Sequence, residues 1–372
     1  MLAPLPSPSR SWVAHAVHVL REDATAQRTT PLIDLPVPSG WGVQIVAKDE
    51  RVHPTGSLKH RLARSLFLHA VVDGEIGPNT TVVEASSGST AISEAYFARE
   101  LGVPFIAVVP DGTSPHKIAL IQGFGGDVRY VSDASEASAT SRAIAAELGG
   151  HFMDQFTNAS RVTDWTGDAN LAGELVGQLG DRRHPIPSWV VVGAGTGGTS
   201  AMLGRYFRSR RLETRIALAD PEGSAYFGRI ARAQLPTRVS RIEGIGRTVV
   251  EPSFVPSVID TAFRVDDAQS VAAMELFNEM TGQACGPSTG TNLVVALYVA
   301  LGMRARGERG TVATVICDGA DRYTDTYYSQ EWLTANGMDP SPYAQPLRTA
   351  LLTGVWSHAL SPVATPDWSA VN

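Results

Sequence analysis

The feature that most constrains this chain is an alternation of two textures that begins near residue 40. Short runs rich in Val and Ile read as strands: Gln44-Ile-Val-Ala-Lys48, Thr81-Val-Val-Glu84, Pro104-Phe-Ile-Ala-Val-Val109 and Asp127-Val-Arg-Tyr-Val131. Between them, Leu58 to Val72, Thr90 to Leu101, Pro115 to Gly123 and Ala134 to Leu148 carry the helical period. Strands this short and this uniformly apolar are buried on both faces, which predicts an α/β fold built on a mostly parallel sheet flanked by helices. In such sheets the chemistry sits at the strand C-terminal ends.

The alternation restarts after Trp165, with strands at Ser188-Trp-Val-Val-Val192, Arg215-Ile-Ala-Leu-Ala219 and Thr311-Val-Ala-Thr-Val-Ile316 and helices near 199–209, 267–281 and 290–305. Two sets predict two lobes with a cleft between them, the chain crossing within Asp154 to Thr166. The expected division is 48–160 for a smaller lobe, 1–47 plus 161–340 for a larger one, and an irregular tail over 341–372. With 43% hydrophobic and 18% charged residues the chain can bury a large core and is no disordered polymer. A net charge of -6 gives a nucleic acid or an anionic membrane nothing to bind. Cys285 and Cys317 make neither a disulfide framework nor a CxxC pair, and the prolines of the first ten residues interrupt any signal helix. No stretch approaches the roughly 20 apolar residues of a membrane span. The expected location is the cytoplasm.

Five loops can carry chemistry. In His53-Pro-Thr-Gly-Ser-Leu-Lys59 a turn runs into a helix, with Ser57 as the expected N-cap and Lys59 in the first turn. The helix dipole there disfavours an ammonium, which suits an amine nucleophile, although a lone lysine is most often a surface residue. Glu84-Ala-Ser-Ser-Gly-Ser-Thr90 joins strand to helix through small residues whose N–H groups and hydroxyls suit a carboxylate or phosphate, or simply cap the helix. Gly193-Ala-Gly-Thr-Gly-Gly-Thr199 repeats that design with glycines that admit an anion to the backbone. It also satisfies G-x-G-x-x-G, and Asp220 lies where a dinucleotide fold places its ribose carboxylate, so a nicotinamide-dependent oxidoreductase is a rival reading.

Gly286-Pro-Ser-Thr-Gly290 matches the nucleophile elbow of a serine hydrolase, with Asp318 and His358 following in triad order. The residues before it lack strand character, so the loop is expected instead to offer the Ser288 and Thr289 hydroxyls and to cap a helix. The fifth loop, Ile316-Cys-Asp-Gly-Ala-Asp-Arg-Tyr323, puts Asp318 at a strand end as a candidate cofactor contact. The nine histidines show no ligand spacing, and no metal is expected.

Taken jointly, these motifs resemble the fold-type-II pyridoxal-phosphate enzymes, the two-lobed tryptophan synthase β-subunit-like architecture. Within them the chain is similar to the cysteine synthase group, and nearest to its bacterial L-cysteine desulfhydrases. Pro54-Thr-Gly-Ser-Leu-Lys59-His-Arg matches the Schiff-base motif, Ser86-Ser-Gly-Ser-Thr90 the substrate-carboxylate loop, Gly195-Thr-Gly-Gly-Thr199 the phosphate cup and Ile242-Glu-Gly-Ile-Gly246 the segment that closes over the site. The resemblance implies pyridoxal 5'-phosphate as cofactor, held by Lys59, Ser89, Gly195, Thr196, Gly197, Gly198, Thr199 and Asp318. It implies a small amino-acid substrate held by Ser86, Ser87, Gly88, Thr90, Gly244 and Ser288, with Lys59 as catalytic base. The implied reaction is β-elimination on L-cysteine to hydrogen sulfide, pyruvate and ammonia, the alternative being β-replacement by a cysteine synthase or a specialised-metabolism relative. A homodimer is the usual state of the group. Two departures stand out: Ser89 replaces the Asn of cysteine synthases, which the desulfhydrase branch tolerates, and Gly319 replaces a serine that faces the pyridine nitrogen. Asp318 or a water is expected to take that serine's place.

Overall fold

The computed structural model describes residues 9–26, 29–233, 240–356, 360 and 362–364. The chain divides into two compact units, Met1–Thr29 with His53–Val162, and Thr30–Val52 with Thr163–Asn372.

The first unit is built on four parallel strands in the order Asp127–Val131, Phe105–Pro110, Val82–Ala85, His151–Phe152. The two-residue period of a strand sends side chains alternately to opposite faces. Val82, Phe105, Ala107 and Val109 meet the helices Lys59–Val72 and Ser89–Leu101, while Val83, Ala85, Ile106 and Val108 meet the helix Ala137–Leu148. Both faces are thus covered, as the apolar runs require. The helix Arg10–Ala26, expected with the larger lobe, belongs here, because its buried Ala16 and Leu20 enter the same core as Leu62, Leu66 and Phe97. The stretch expected to cross between lobes is helical over Gln155–Val162 and ends this unit.

The second unit carries seven strands in the order Leu32–Asp34, Val43–Asp49, Gly310–Ile316, Trp189–Val192, Arg215–Pro221, Thr261–Val265, Pro362–Ala364. The central five are parallel and each edge strand pairs antiparallel. The helices Asp267–Thr281 and Pro287–Ala305 pack so closely that a Cβ on Gly290 would collide with the Ser270 carbonyl. That spacing only glycine allows. The expected irregular tail instead carries a helix, Ser341–Thr353, whose Leu347, Ala350 and Leu351 join the core. No helix among the described residues is long and apolar enough to cross a membrane.

Candidate active site

In the first unit the strand Val82–Ala85 ends at Glu84-Ala85, the chain turns through Ser86 to Gly88, and the helix starts at Ser89. The Ser86 hydroxyl accepts the Gly88 N–H at 3.3 Å and closes the turn. Ser86, Ser87, Gly88 and Ser89 are partly exposed, and Thr90 is buried. The Thr90 hydroxyl donates to Gln155 Oε1 at 2.8 Å, and the Gln155 N–H donates to Glu84 Oε2 at 3.0 Å. Gln155 therefore braces the loop from below. Sequence reasoning placed it in the interlobe crossing and missed it; a polar residue opening a helix just after a strand was the available signal. Lys59 opens the helix Lys59–Val72 and is partly exposed. The N-cap is Leu58 rather than Ser57, and Ser57 Oγ accepts the Lys59 N–H at 3.3 Å, two residues along.

In the second unit the parallel strands Trp189–Val192 and Gly310–Ile316 are neighbours, so the loops that leave their C-terminal ends share one sheet edge. From the first comes Gly193 to Gly197, with Gly197 at φ 87° as N-cap of the helix Gly198–Ser209. N–H groups in the first turn of a helix have no intrahelical acceptor, and the dipole there favours an anion. Thr196 Oγ1 accepts the Gly198 N–H at 3.3 Å, which shapes the cup, and Thr199 is partly exposed. The segment Ile242 to Gly246 lies against this loop. The Gly246 N–H donates to the Ala194 carbonyl at 2.8 Å, and a Cβ on Gly195 would collide with the Gly244 carbonyl. Gly244 itself is exposed and takes φ 84°, a conformation that favours glycine. Tyr226, which the sequence did not single out, donates its hydroxyl to the Gly195 carbonyl at 2.5 Å.

From the neighbouring strand come Cys317, Asp318 and Gly319. Asp318 is buried and accepts the Tyr323 hydroxyl at 2.7 Å. Gly319 has an extended backbone, and a Cβ there would meet only the Asp321 side-chain tip, 2.7 Å away. Ser288 and Thr289 fall in the first turn of Pro287–Ala305, both buried, and Thr289 Oγ1 accepts the Cys317 N–H at 3.2 Å.

Both rival readings fail on geometry. Asp220 is fully buried, accepts the Phe227 N–H at 2.8 Å and is pushed up to about 7 by burial, so it cannot serve a ribose. Ser288 lies inside a helix with no strand before it, and His358 of the hydrolase triad lies outside the described residues.

The sequence profile described as "Pyridoxal-phosphate dependent enzyme" matches residues 24–318. The chain belongs to this family. It is similar to the L-cysteine desulfhydrase Cds1 of Mycobacterium tuberculosis (strain ATCC 25177 / H37Ra), at 51% identity over 90% of this chain and 92% of that protein. It resembles a putative cysteine synthase of Sinorhizobium fredii (strain NBRC 101917 / NGR234), at 32% identity over 85% of this chain and 93% of that one. Among solved structures, that of O-ureido-L-serine synthase superposes with a TM-score of 0.72 at 26% identity, over 84% of this chain and 98% of the other.

The residues present fit this family's cofactor. A pyridoxal-phosphate dependent enzyme needs an amine for the aldehyde and a cradle for the phosphate. Gly195 and Gly197 let the loop fold where a Cβ would meet the Gly244 carbonyl or the Phe254 backbone, and the loop so turned leads into the helix Gly198–Ser209, whose first-turn N–H groups suit an anion.

Two buried carboxyls behind the Ser86 to Thr90 loop of this pyridoxal-phosphate dependent enzyme set a pH dependence. Glu84 and Glu94 are both fully buried, and among the described residues no donor reaches either Glu94 oxygen. Burial pushes Glu84 up to about 8 and holds Glu94 well above the ordinary carboxylate range, Glu84 adding to the effect. A carboxyl protonated in the fold up to about 8, but only to 4.5 when unfolded, has its stabilising share intact below 4.5. That share is lost as pH rises from 4.5 to 8. Glu94→Leu removes one buried acid and is expected to raise stability at pH 8 by about 1–3 kcal/mol, and less at pH 5. Chemical denaturation at the two pH values reads the difference, and an equal effect at both would contradict it.

Proposed function

We propose that the enzyme carries out β-elimination on L-cysteine, taking up one water and releasing hydrogen sulfide, pyruvate and ammonia. The observation that carries this reading is the 51% identity to an L-cysteine desulfhydrase across 90% of the chain. The roles fall on the residues placed above. Gly195, Thr196, Gly197, Gly198 and Thr199 would hold the cofactor phosphate through their N–H groups, that of Gly198 exchanging its bond to Thr196 Oγ1 for the phosphate, and Ser89 would contact the cofactor. Ser86, Ser87, Gly88 and Thr90 hold the substrate carboxylate, with Gly244 and Ser288 bounding the substrate. Because the Thr90 hydroxyl is already donated to Gln155, the Thr90 backbone N–H is the group left for that carboxylate.

Lys59 anchors the cofactor and then takes the Cα proton. Its position at the first residue of a helix favours the neutral amine that this requires. When bound, pyridoxal phosphate supplies the sink for the charge left at Cα. Asp318 takes the ring-nitrogen partnership that Gly319 cannot supply, and its hydrogen bond from Tyr323 fixes one carboxylate oxygen in support of that role. The homodimeric state and cytoplasmic location implied by the resemblance go with this reading.

A second reading, β-replacement, is favoured by the resemblance to a putative cysteine synthase and to O-ureido-L-serine synthase. Product analysis separates the two. Purified holoenzyme given cysteine is expected to release pyruvate and sulfide in equal amounts, with slower release by Asp318→Asn. Formation of cysteine from O-acetylserine and sulfide, with no pyruvate from cysteine, would overturn the proposal.

A further inference from the structure

Lys59 is followed by a histidine with no room to reach solvent. His60 is fully buried, with Thr55 and Ser93 almost equally so. His60 Nε2 lies 3.1 Å from Asp23 Oδ2, and His60 Nδ1 lies 3.1 Å from the Thr55 hydroxyl. Thr55 is 2.9 Å from the Ser93 hydroxyl, and Ser93 donates to the Ser89 carbonyl at 2.8 Å. Four contacts thus run from the helix Arg10–Ala26 to the backbone of Ser89. Every member lies in the first unit. Arg64 donates to Asp23 at 3.0 Å, Tyr96 donates to it at 3.4 Å, and the His53 ring stacks on His60 at 5.1 Å.

The line has two ends of consequence. One is the peptide that joins Lys59 to His60, so fixing the imidazole fixes the start of the lysine's helix. The other is Ser89, where the substrate-carboxylate loop enters its helix. We propose that His60 is a positioning residue which, through Asp23 on one side and Thr55 and Ser93 on the other, holds Lys59 and the Ser86 to Thr90 loop in one fixed relation. The proposal rests on the roles given to Lys59 and that loop above. Asp23, the anchor, lies one residue before the segment that the family profile matches, 24–318, so the N-terminal helix becomes part of the catalytic apparatus.

Hydrogen counting adds a detail. A neutral imidazole and two hydroxyls bring three hydrogens to four contacts, whereas the imidazolium brings four. Burial pulls His60 below its ordinary range while Asp23 opposes it, so the relay gains a bond whenever the ring takes up a proton.

Thr55 gives the cleanest test, because Thr55→Val keeps the shape and removes the link, while Thr55→Ser keeps the hydroxyl. A displacement of about 1 Å at a reacting group can cost roughly a hundredfold in rate. Thr55→Val is expected to lower kcat for cysteine by about tenfold or more with KM changed less than about threefold, and Thr55→Ser to restore kcat. Amide hydrogen exchange on cofactor-free protein supplies a readout independent of activity. Exchange across 86–92 is expected to quicken in Thr55→Val and His60→Gln but not in Thr55→Ser. That pattern supports the relay even if the wild-type protein turns over some other amino acid, a result that would count against the functional reading alone. Unchanged exchange in Thr55→Val, or a kcat that falls equally in Thr55→Ser, would overturn it.

Discussion

Lys59→Ala is expected to abolish turnover, by at least about a thousandfold, and to leave the purified protein without the visible absorbance of a bound cofactor. The size of the effect follows from how few amines the chain has. Its three lysines are Lys48, Lys59 and Lys117. Lys48 is fully buried, with its ammonium 2.8 Å from Glu174 and donating to the Thr30 carbonyl at 2.6 Å and to Gln178 at 2.9 Å. Freeing it would break a bond to the partly buried Glu174 and move a fully buried ammonium out of its three contacts. Lys117 lies in the helix Pro115–Gly123 and is itself nearly buried. Neither can step in. The stability of the cofactor-free protein should change by no more than about 1 kcal/mol, because alanine is a good helix former and the dipole disfavours an ammonium at a helix N-terminus. Equal thermal midpoints of the two proteins compared free of cofactor, together with lost absorbance and lost turnover in the purified variant, is the expected combination. Retained turnover would remove Lys59 from the mechanism.

Gly195→Ala carries the second large effect. The methyl group would have to occupy the space of the Gly244 carbonyl oxygen, with the carbonyl carbon of the same residue 3.3 Å away. Backbone cannot swing aside as a flexible side chain does, so the loop must separate from the Ile242 to Gly246 segment. Overpacking of this kind costs about 1–3 kcal/mol. Separation also moves the N–H groups that make the cup, so affinity for pyridoxal phosphate should fall by at least about tenfold. Titration of cofactor-free protein measures it. Gly88→Ala is the comparison: no heavy atom lies within 4 Å of a Cβ there, and its backbone suits any residue. Cofactor affinity equal to wild type in Gly195→Ala would show that the cup does not depend on this close approach.

How much of this was legible in the sequence depends on whether a residue acts locally. Strands such as Phe105–Pro110 and Gly310–Ile316 announce themselves, because burial on both faces demands an unbroken apolar run. The short strand Thr261–Val265 was missed, although Asp127–Val131, with Arg129 at its centre, is read as one. The helix Arg10–Ala26 was missed because only Ala16 and Leu20 of its seventeen residues are buried, too faint a stripe beside the prolines that precede it. At the site, Lys59, the Ser86 to Thr90 loop and the glycine cup each carry a local motif. Asp23, Gln155 and Tyr226 do not. They reach the site across 37, 65 and 31 residues of chain respectively, in hydrogen bonds to His60, Thr90 and Gly195, and no spacing rule encodes such pairings. Asp220 was misread for the opposite reason: its spacing suited a ribose contact, but burial set it to capping a helix.

The central claim is that one amine, that of Lys59, carries the cofactor in this chain. Borohydride reduction of the holoenzyme locks a lysine-bound pyridoxal phosphate in place, and peptide mass spectrometry then reads which lysine bears it. With three lysines in the sequence, three peptides decide the matter. The adduct is expected on the Lys59 peptide alone; an adduct on Lys48 or Lys117, or none on a protein that still releases pyruvate from cysteine, would remove Lys59 from that role.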